Sequence, residues 1–260
     1  YMGYETITVT SKFDGQVNEI ALGPPPANIV TDRVMAEMAS EIARYQREDT
    51  AGVKAIVITG QGDHFSYGAS VEEHQVDQIK YVLPRFHDLI GRILECPVPT
   101  IARVHGRCYG GGLEVALACS MIFADEKAVF AVPEIKLAVF PPVASLLLPF
   151  ITGQSAASEI VLSGEEFSAA DMNWFGVVGR VSEGDLESAV DEFIEKSILP
   201  KSASSLRFTQ RVAMRSLATH YRTHIRSVER LYIDDLMATR DANEGIAAFL
   251  EKRKPEWKNR

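Results

Sequence analysis

Between residues 53 and 132 one pattern recurs: a short run of β-branched and small apolar residues, a glycine-containing turn, then helical periodicity. Residues 53–59 read VKAIVIT and are closed by Gly60 and Gly62. A run without a polar face predicts a strand covered on both sides, as in a parallel α/β sheet. Val76, Ile79, Leu83, Phe86, Ile90 and Ile93 then step by three and four, predicting a helix over 76–93 that Pro84 should kink. TIARVHG (100–106) is a second strand candidate, followed by three glycines and a helical LEVALACSM (113–121). IFADEKAVFAV (122–132) returns to strand character.

The flanks are helical. Thr31 is a capping candidate ahead of Met35, Met38, Ile42 and Tyr45, which share one helix face. Ser168 and Asp171 form a capping box before a helix that Gly176 should end, and residues 186–199 are again amphipathic. From Ser202 onward strand signals vanish, and Asp241 with Glu244 reads as a box-like cap before GIAAFLEKRK. The expected organisation is an α/β core over residues 1–200 and a helical region over 201–260. A helix-only extension of this kind often supplies an oligomer interface.

Composition narrows the class. With 46% apolar and 24% charged residues, and 18 Gly and 12 Pro, the chain is an ordinary globular protein, neither disordered nor collagen-like. A net charge of -8 argues against nucleic acid as the main ligand. Arginines at 207, 211, 215 and at 222, 226, 230 make two stripes, read as a solvated face neutralised by acids such as Glu187, Asp191 and Glu195 just upstream. Cys96, Cys108 and Cys119 fit neither a disulfide framework nor a paired metal motif, which suits a reducing cytoplasm. No membrane span or signal peptide is expected, and Tyr1 ahead of Met2 reads as an added residue.

Three stretches can carry chemistry. Gly110, Gly111 and Gly112 sit between a strand and a helix, where backbone can approach a ligand and present N–H groups. This is no Walker loop, and the GxGxxG spacing is absent. Glu114 follows in the next helix, and Glu134 closes the strand after it. Two carboxyls brought together from separate strand ends can divide the roles of acid and base, since like charges at close range push their pKa values apart. The third stretch, HFSYGAS (64–70), also follows a strand and offers small residues where an amide can face a ligand. Neither HExxH nor GxSxG occurs, so zinc-protease and serine-hydrolase chemistry lack support.

Together these stretches resemble the crotonase, or enoyl-CoA hydratase/isomerase, superfamily. VKAIVITGQGDHFSYGAS resembles its first oxyanion segment, and HGRCYGGGLEVALACSMIFADEKAVFAVPEIKL its second, through to the second active-site acid. TRDANEGIAAFLEKRKPEWKNR resembles the C-terminal helix that in such proteins helps build trimers and reaches the neighbouring CoA site. The resemblance implies a spiral of strand-strand-helix repeats, with thioester oxygen bound by the amides of Ala69 and Gly111 and a water held by Glu114 and Glu134. It further implies that Ala27, Tyr67, Gly68, Gly110, Phe140 and Pro142 lie along the substrate, with Phe249 and Lys252 arriving from the tail. Coenzyme A would be part of the substrate, with no separate cofactor and no metal, in a homotrimer or dimer of trimers.

Two glutamates favour hydration over relatives that keep one carboxylate or none. Ser70 stands where many relatives have Asp, and PEIKLAVFPPVAS (133–145) resembles the cyclohexa-1,5-diene-1-carboxyl-CoA hydratases of anaerobic aromatic degradation. Phe140, Pro142 and Tyr67 suit a flat or cyclic acyl group better than a straight chain. The alternatives are a short-chain enoyl-CoA hydratase or isomerase, and a non-catalytic RNA-binding member using the arginine stripes.

Overall fold

A computed structural model describes residues 3–74 and 76–260, so Tyr1 and Met2 lie outside the described residues. The chain opens with an antiparallel hairpin, β1 (Ile7–Lys12) and β2 (Val17–Leu22), which the sequence reading did not identify. Helix α1 (Asp32–Arg44) starts where expected, with the Val34 amide donating to Thr31 Oγ1 at 3.4 Å. Strand β3 (Ala55–Gly60) is buried at all six positions because it runs parallel between β2 and the next strand. Helix α2 (Val76–Leu94) continues through Pro84.

The strand-strand-helix repeat then appears twice. First come β4 (Thr100–Val104), β5 (Arg107–Tyr109) and α3 (Gly111–Leu117). Next come β6 (Met121–Asp125), β7 (Val129–Ala131) and a 3-10 turn at Pro133–Leu137. The single strand expected over 122–132 is thus two. Asp125 makes the break, its carbonyl accepting from the Ala128 amide at 2.9 Å and its side chain from the Lys127 amide at 2.7 Å. Each pair sends one strand to each sheet.

Helices α4 (Pro142–Thr152) and α5 (Gln154–Ser163) follow, then β8 (Phe167–Ser168), α6 (Ala169–Trp174), β9 (Arg180–Ser182) and α7 (Leu186–Ser197). The larger sheet runs β1-β2-β3-β4-β6-β9, the smaller β5-β7-β8. Every bond between neighbours from β2 to β9 is parallel. The Ser168–Asp171 capping box is formed, and Gly176 has φ +81 beyond the helix end.

Helix α8 (Ala203–Arg230) and helix α9 (Arg240–Leu250) complete the chain. Tyr221 and Ile225 of α8 belong to the same core as Ile56 and Ile58 of β3, and the Tyr221 hydroxyl donates to the His87 carbonyl at 2.8 Å. Helix α9 is capped by Thr239, not by the expected Asp241–Glu244 pair. Asp241 instead accepts from the amides of Lys258 and Asn259, and Glu244 pairs with Arg253. No helix among the described residues is long and apolar enough to cross a membrane.

Helix α9 seats its backbone on the 3-10 turn that carries Glu134. A Cβ at Gly245 would stand 2.1 Å from the Leu137 carbonyl oxygen. Glycine to alanine inside a helix normally stabilises by ~1 kcal/mol, yet Gly245→Ala is expected to lower the melting temperature by about 2 °C or more through overpacking. Thermal unfolding reads this directly; an unchanged or higher midpoint would contradict the packing described.

Candidate active site

The loop after β3 is pinned before it reaches the site. Asn28 Nδ2 donates to the carbonyls of Gln61 and His64, each at 2.8 Å, and Ser66 Oγ donates to the Asn28 carbonyl at 2.7 Å. The same Oγ accepts from the Gly68 amide at 3.0 Å, and the Gly68 carbonyl accepts from the Val30 amide at 2.9 Å. Gly68 has φ +101, and a Cβ there would approach the Tyr109 carbonyl to 2.9 Å and the Gly111 nitrogen to 3.2 Å. Gly110 has φ +48, with a Cβ position 2.6 Å from Glu134 Oε1. Only glycine permits both the conformation and the approach.

These contacts press the segment at 68–69 against that at 110–111. A Cβ on Gly111 would lie 3.1 Å from the Ala69 nitrogen. Neither the Ala69 nor the Gly111 amide has a hydrogen-bond partner among the described residues. Amides inside a fold are nearly always paired, so two adjacent free donors beside one cavity can receive an oxygen atom.

Glu114 is 3% exposed, and its Oε1 accepts from the amides of Val143 and Ala144, both at 2.9 Å. These are first-turn donors of α4, so a helix N-terminus does hold this carboxylate, although not that of its own helix. Pro141 and Pro142 lead into that turn, and Pro142 occupies the position whose missing N–H costs nothing. Glu134 is half-buried as a residue, but its Oε2 is sealed from solvent and has no partner. Burial raises both carboxyls. The two amides pull Glu114 back toward its charged form, whereas the charge of Glu114 pushes Glu134 further up. The shared proton is therefore favoured on Glu134 over Glu114.

Ala69, Gly111, Glu114 and Glu134 line one cavity of about 30 Å³, whose walls include Phe86, Phe140, Pro142 and Tyr232. A second hollow of about 80 Å³ shares Ala69 and Glu134 and is lined by Tyr67, Gly68, Gly110 and Ile246. Ala27 sits behind it, its carbonyl accepting from the Tyr67 amide at 2.9 Å. Tyr67 also receives a 2.7 Å hydrogen bond from Arg107 on its hydroxyl. Phe249 and Lys252 lie on the exposed surface and line neither hollow. Sequence reasoning missed Phe86, Tyr232, Ile246 and the two α4 amides. The helix-period stripe that contains Phe86 was visible, but nothing in it marked one ring as a cavity wall.

Arg211, Arg215 and Arg230 of the arginine stripes face solvent as expected, while the other three have partners other than the upstream acids. Arg207 donates to the backbone carbonyls of Tyr45 and Thr50, Arg222 pairs with Glu95 and Arg226 with Glu229. Glu187 and Asp191 instead pair with Lys12.

Residues 12–260 match the model of the enoyl-CoA hydratase/isomerase family. The chain is 39% identical to cyclohexa-1,5-dienecarbonyl-CoA hydratase of Thauera aromatica, over 95% of each protein. It is 33% identical to a probable enoyl-CoA hydratase of Bacillus subtilis, over 94% of this chain and 96% of that protein. Among solved structures, an enoyl-CoA hydratase/isomerase from Xanthobacter autotrophicus Py2 superposes with a TM-score of 0.84 at 28% identity, covering 96% of this chain and 94% of the other.

The contribution of the two raised carboxyls to stability falls as pH rises. A carboxyl whose folded pKa is raised contributes stability that is fully present below its unfolded value, ~4.3, and is lost as pH rises through the folded value. Glu134→Gln cannot ionise, so it should melt with wild type near pH ~4 and above it near pH ~8.5, by ~2–4 °C for each kcal/mol relieved. Calorimetry at the two pH values checks the sign. A gain that is equal at both, or larger in acid, would contradict a raised Glu134.

Proposed function

Since the chain belongs to the enoyl-CoA hydratase/isomerase family, it is a hydro-lyase of the enoyl-CoA hydratase type, and we propose that it hydrates a conjugated cyclic dienoyl-CoA such as cyclohexa-1,5-diene-1-carboxyl-CoA. The reading rests on one observation: two residues with unpartnered amides line the same cavity as an amide-held carboxylate and a carboxyl with one unpartnered oxygen.

The chemistry follows from that arrangement. The thioester oxygen accepts from the amides of Ala69 and Gly111, which draws electrons from the conjugated double bond. Glu114 takes a proton from water as the water oxygen bonds to the electron-poor carbon. The π electrons move to the thioester oxygen, and the resulting enolate is stabilised by the two donors, on the order of 10²-fold or more each. The enolate then collapses and takes its carbon-bound proton from Glu134. Water has been added across the double bond, and the proton gained by Glu114 balances the one lost by Glu134.

A planar acyl group is supported by the rings of Phe86, Phe140 and Tyr232 on the cavity wall and by the identity to the Thauera protein. The substrate class would place the enzyme in anaerobic aromatic degradation. The second hollow, with Tyr67, Gly68 and Gly110, suits the chain that links the thioester to the nucleotide of coenzyme A. Exposed Phe208 and Val212 on α8 suit a trimer or dimer of trimers built on the 201–260 region. Phe249 and Lys252, exposed on this protomer, would serve a neighbour's site there. Three buried free thiols suit the cytoplasm.

The bacterial enoyl-CoA hydratase relative supports a second reading, a short-chain enoyl-CoA substrate. Assays following loss of diene absorbance, run beside crotonyl-CoA, separate the two. The cyclic dienoyl-CoA should turn over faster, and Glu114→Gln and Glu134→Gln should each lower the rate by ~10²–10⁴-fold. Faster turnover of crotonyl-CoA would move the substrate to the linear class, and near-full rates in both variants would remove the acid–base assignment.

A further inference from the structure

Tyr232 is a polar group of the site that the mechanism above does not use. It lies in a π-helical turn, Leu231–Asp235, between α8 and α9, where Leu231, Asp234 and Asp235 face solvent while Tyr232 is 1% exposed. An i to i+5 turn shifts the helix register by one residue, and such turns recur at functional sites. Here it sends one phenol inward. The ring meets the edge of Phe140 at 5.2 Å between centroids and 74°, and it walls the cavity that holds Glu114 and Glu134.

Its hydroxyl differs from those of the other large buried tyrosines. Tyr45 donates to Glu41 at 2.8 Å, and Tyr221 donates to the His87 carbonyl at 2.8 Å. Among the described residues the Tyr232 hydroxyl makes no hydrogen bond, although the residue is 1% exposed. A buried tyrosine normally finds one, so a phenol left without one beside a cavity is a donor awaiting a ligand atom. Burial first, and carboxylate charge in the cavity second, raises its pKa, so it stays protonated and can donate but not act as a base.

The reaction decides which atom that is. In the proposed hydration the acyl carbons offer no acceptor, and the thioester oxygen is already held by two amides. The remaining polar atom is the oxygen being added. One of its lone pairs attacks carbon and one hydrogen goes to Glu114, which leaves a second lone pair unpartnered. Glu134 cannot serve it, because its proton is delivered to carbon.

We propose that the Tyr232 hydroxyl donates a hydrogen bond to the oxygen of the attacking water, and to the same oxygen as the hydroxyl of the product. Tyr232 keeps its proton throughout and acts by positioning. This inference rests on the hydratase reading and deepens it, assigning the C-terminal segment a direct contact with the reacting oxygen.

The test uses Tyr232→Phe in the full-length enzyme, with whichever of cyclic dienoyl-CoA and crotonyl-CoA the wild type hydrates. The variant should lose ~10-fold or more in kcat with KM changed less than ~2-fold. It should also bind the hydroxyacyl-CoA product ~10-fold more weakly, while its affinity for the saturated acyl-CoA lacking that hydroxyl is unchanged. On the wild-type protein, tyrosine labelled with ¹³C at Cζ should show one resonance that shifts with the hydroxyacyl-CoA and not with the saturated thioester. This arm needs no variant and no turnover. Unchanged kcat and product affinity in Tyr232→Phe, equal loss of affinity for both thioesters, or no hydroxyl-specific resonance shift would each overturn the assignment. Failure of the hydratase reading shows separately, as absence of hydration by the wild type.

Discussion

The grip of α4 on Glu114 is the contact on which the site depends. Two first-turn amides, from Val143 and Ala144, hold one oxygen of a carboxylate that is otherwise out of water. Without them, burial would drive Glu114 further toward its neutral acid. With them, the pair is asymmetric. The amides lower the cost of charge on Glu114, and that charge raises the cost of charge on Glu134, whose Oε2 has no partner. The same bonds tie α3 to α4 and so hold Phe140 and Pro142 against the cavity.

The backbone supplies the second half of the site. Parallel strands deliver their following loops to one edge, as open α/β sheets do at their carboxyl ends. The loop after β3 brings Ala69, the β5–α3 turn brings Gly111, and the turn after β7 brings Glu134. Close approach of peptide to peptide at Gly68 and Gly110 leaves two amides side by side. A side chain at Gly68 would separate them and one at Gly110 would displace Glu134, so the donor pair is a property of packing rather than of any functional group.

Legibility in the sequence followed locality. β3 and β4 were readable because strands covered on both faces are apolar without interruption. The β1–β2 hairpin was missed because its edge strand is mostly solvent-facing and its pattern is mixed. Glu114 and Glu134 stood out by their place after glycine turns and strands. What holds Glu114 did not, since Val143 and Ala144 are apolar residues acting through their backbone, 29 and 30 positions away. Tyr232 carried no local signal either: in a run of helix-forming residues, nothing marks the point where the turn widens and one phenol points inward. The caps divide in the same way. Ser168 with Asp171 closed as a box, whereas Asp241 and Glu244 were taken by the chain end and by Arg253, contacts set by the tail's fold.

The central claim is that the Ala69 and Gly111 amides converge on one thioester oxygen. Isotope-edited vibrational spectroscopy of an unreactive acyl-CoA carrying ¹³C at the thioester carbonyl tests it most directly. Two donors that polarise the bond should move its stretching band to lower frequency on binding, and Glu114→Gln, which leaves both amides in place, should retain the shift. A bound thioester whose carbonyl band stays at its solution frequency would contradict the account.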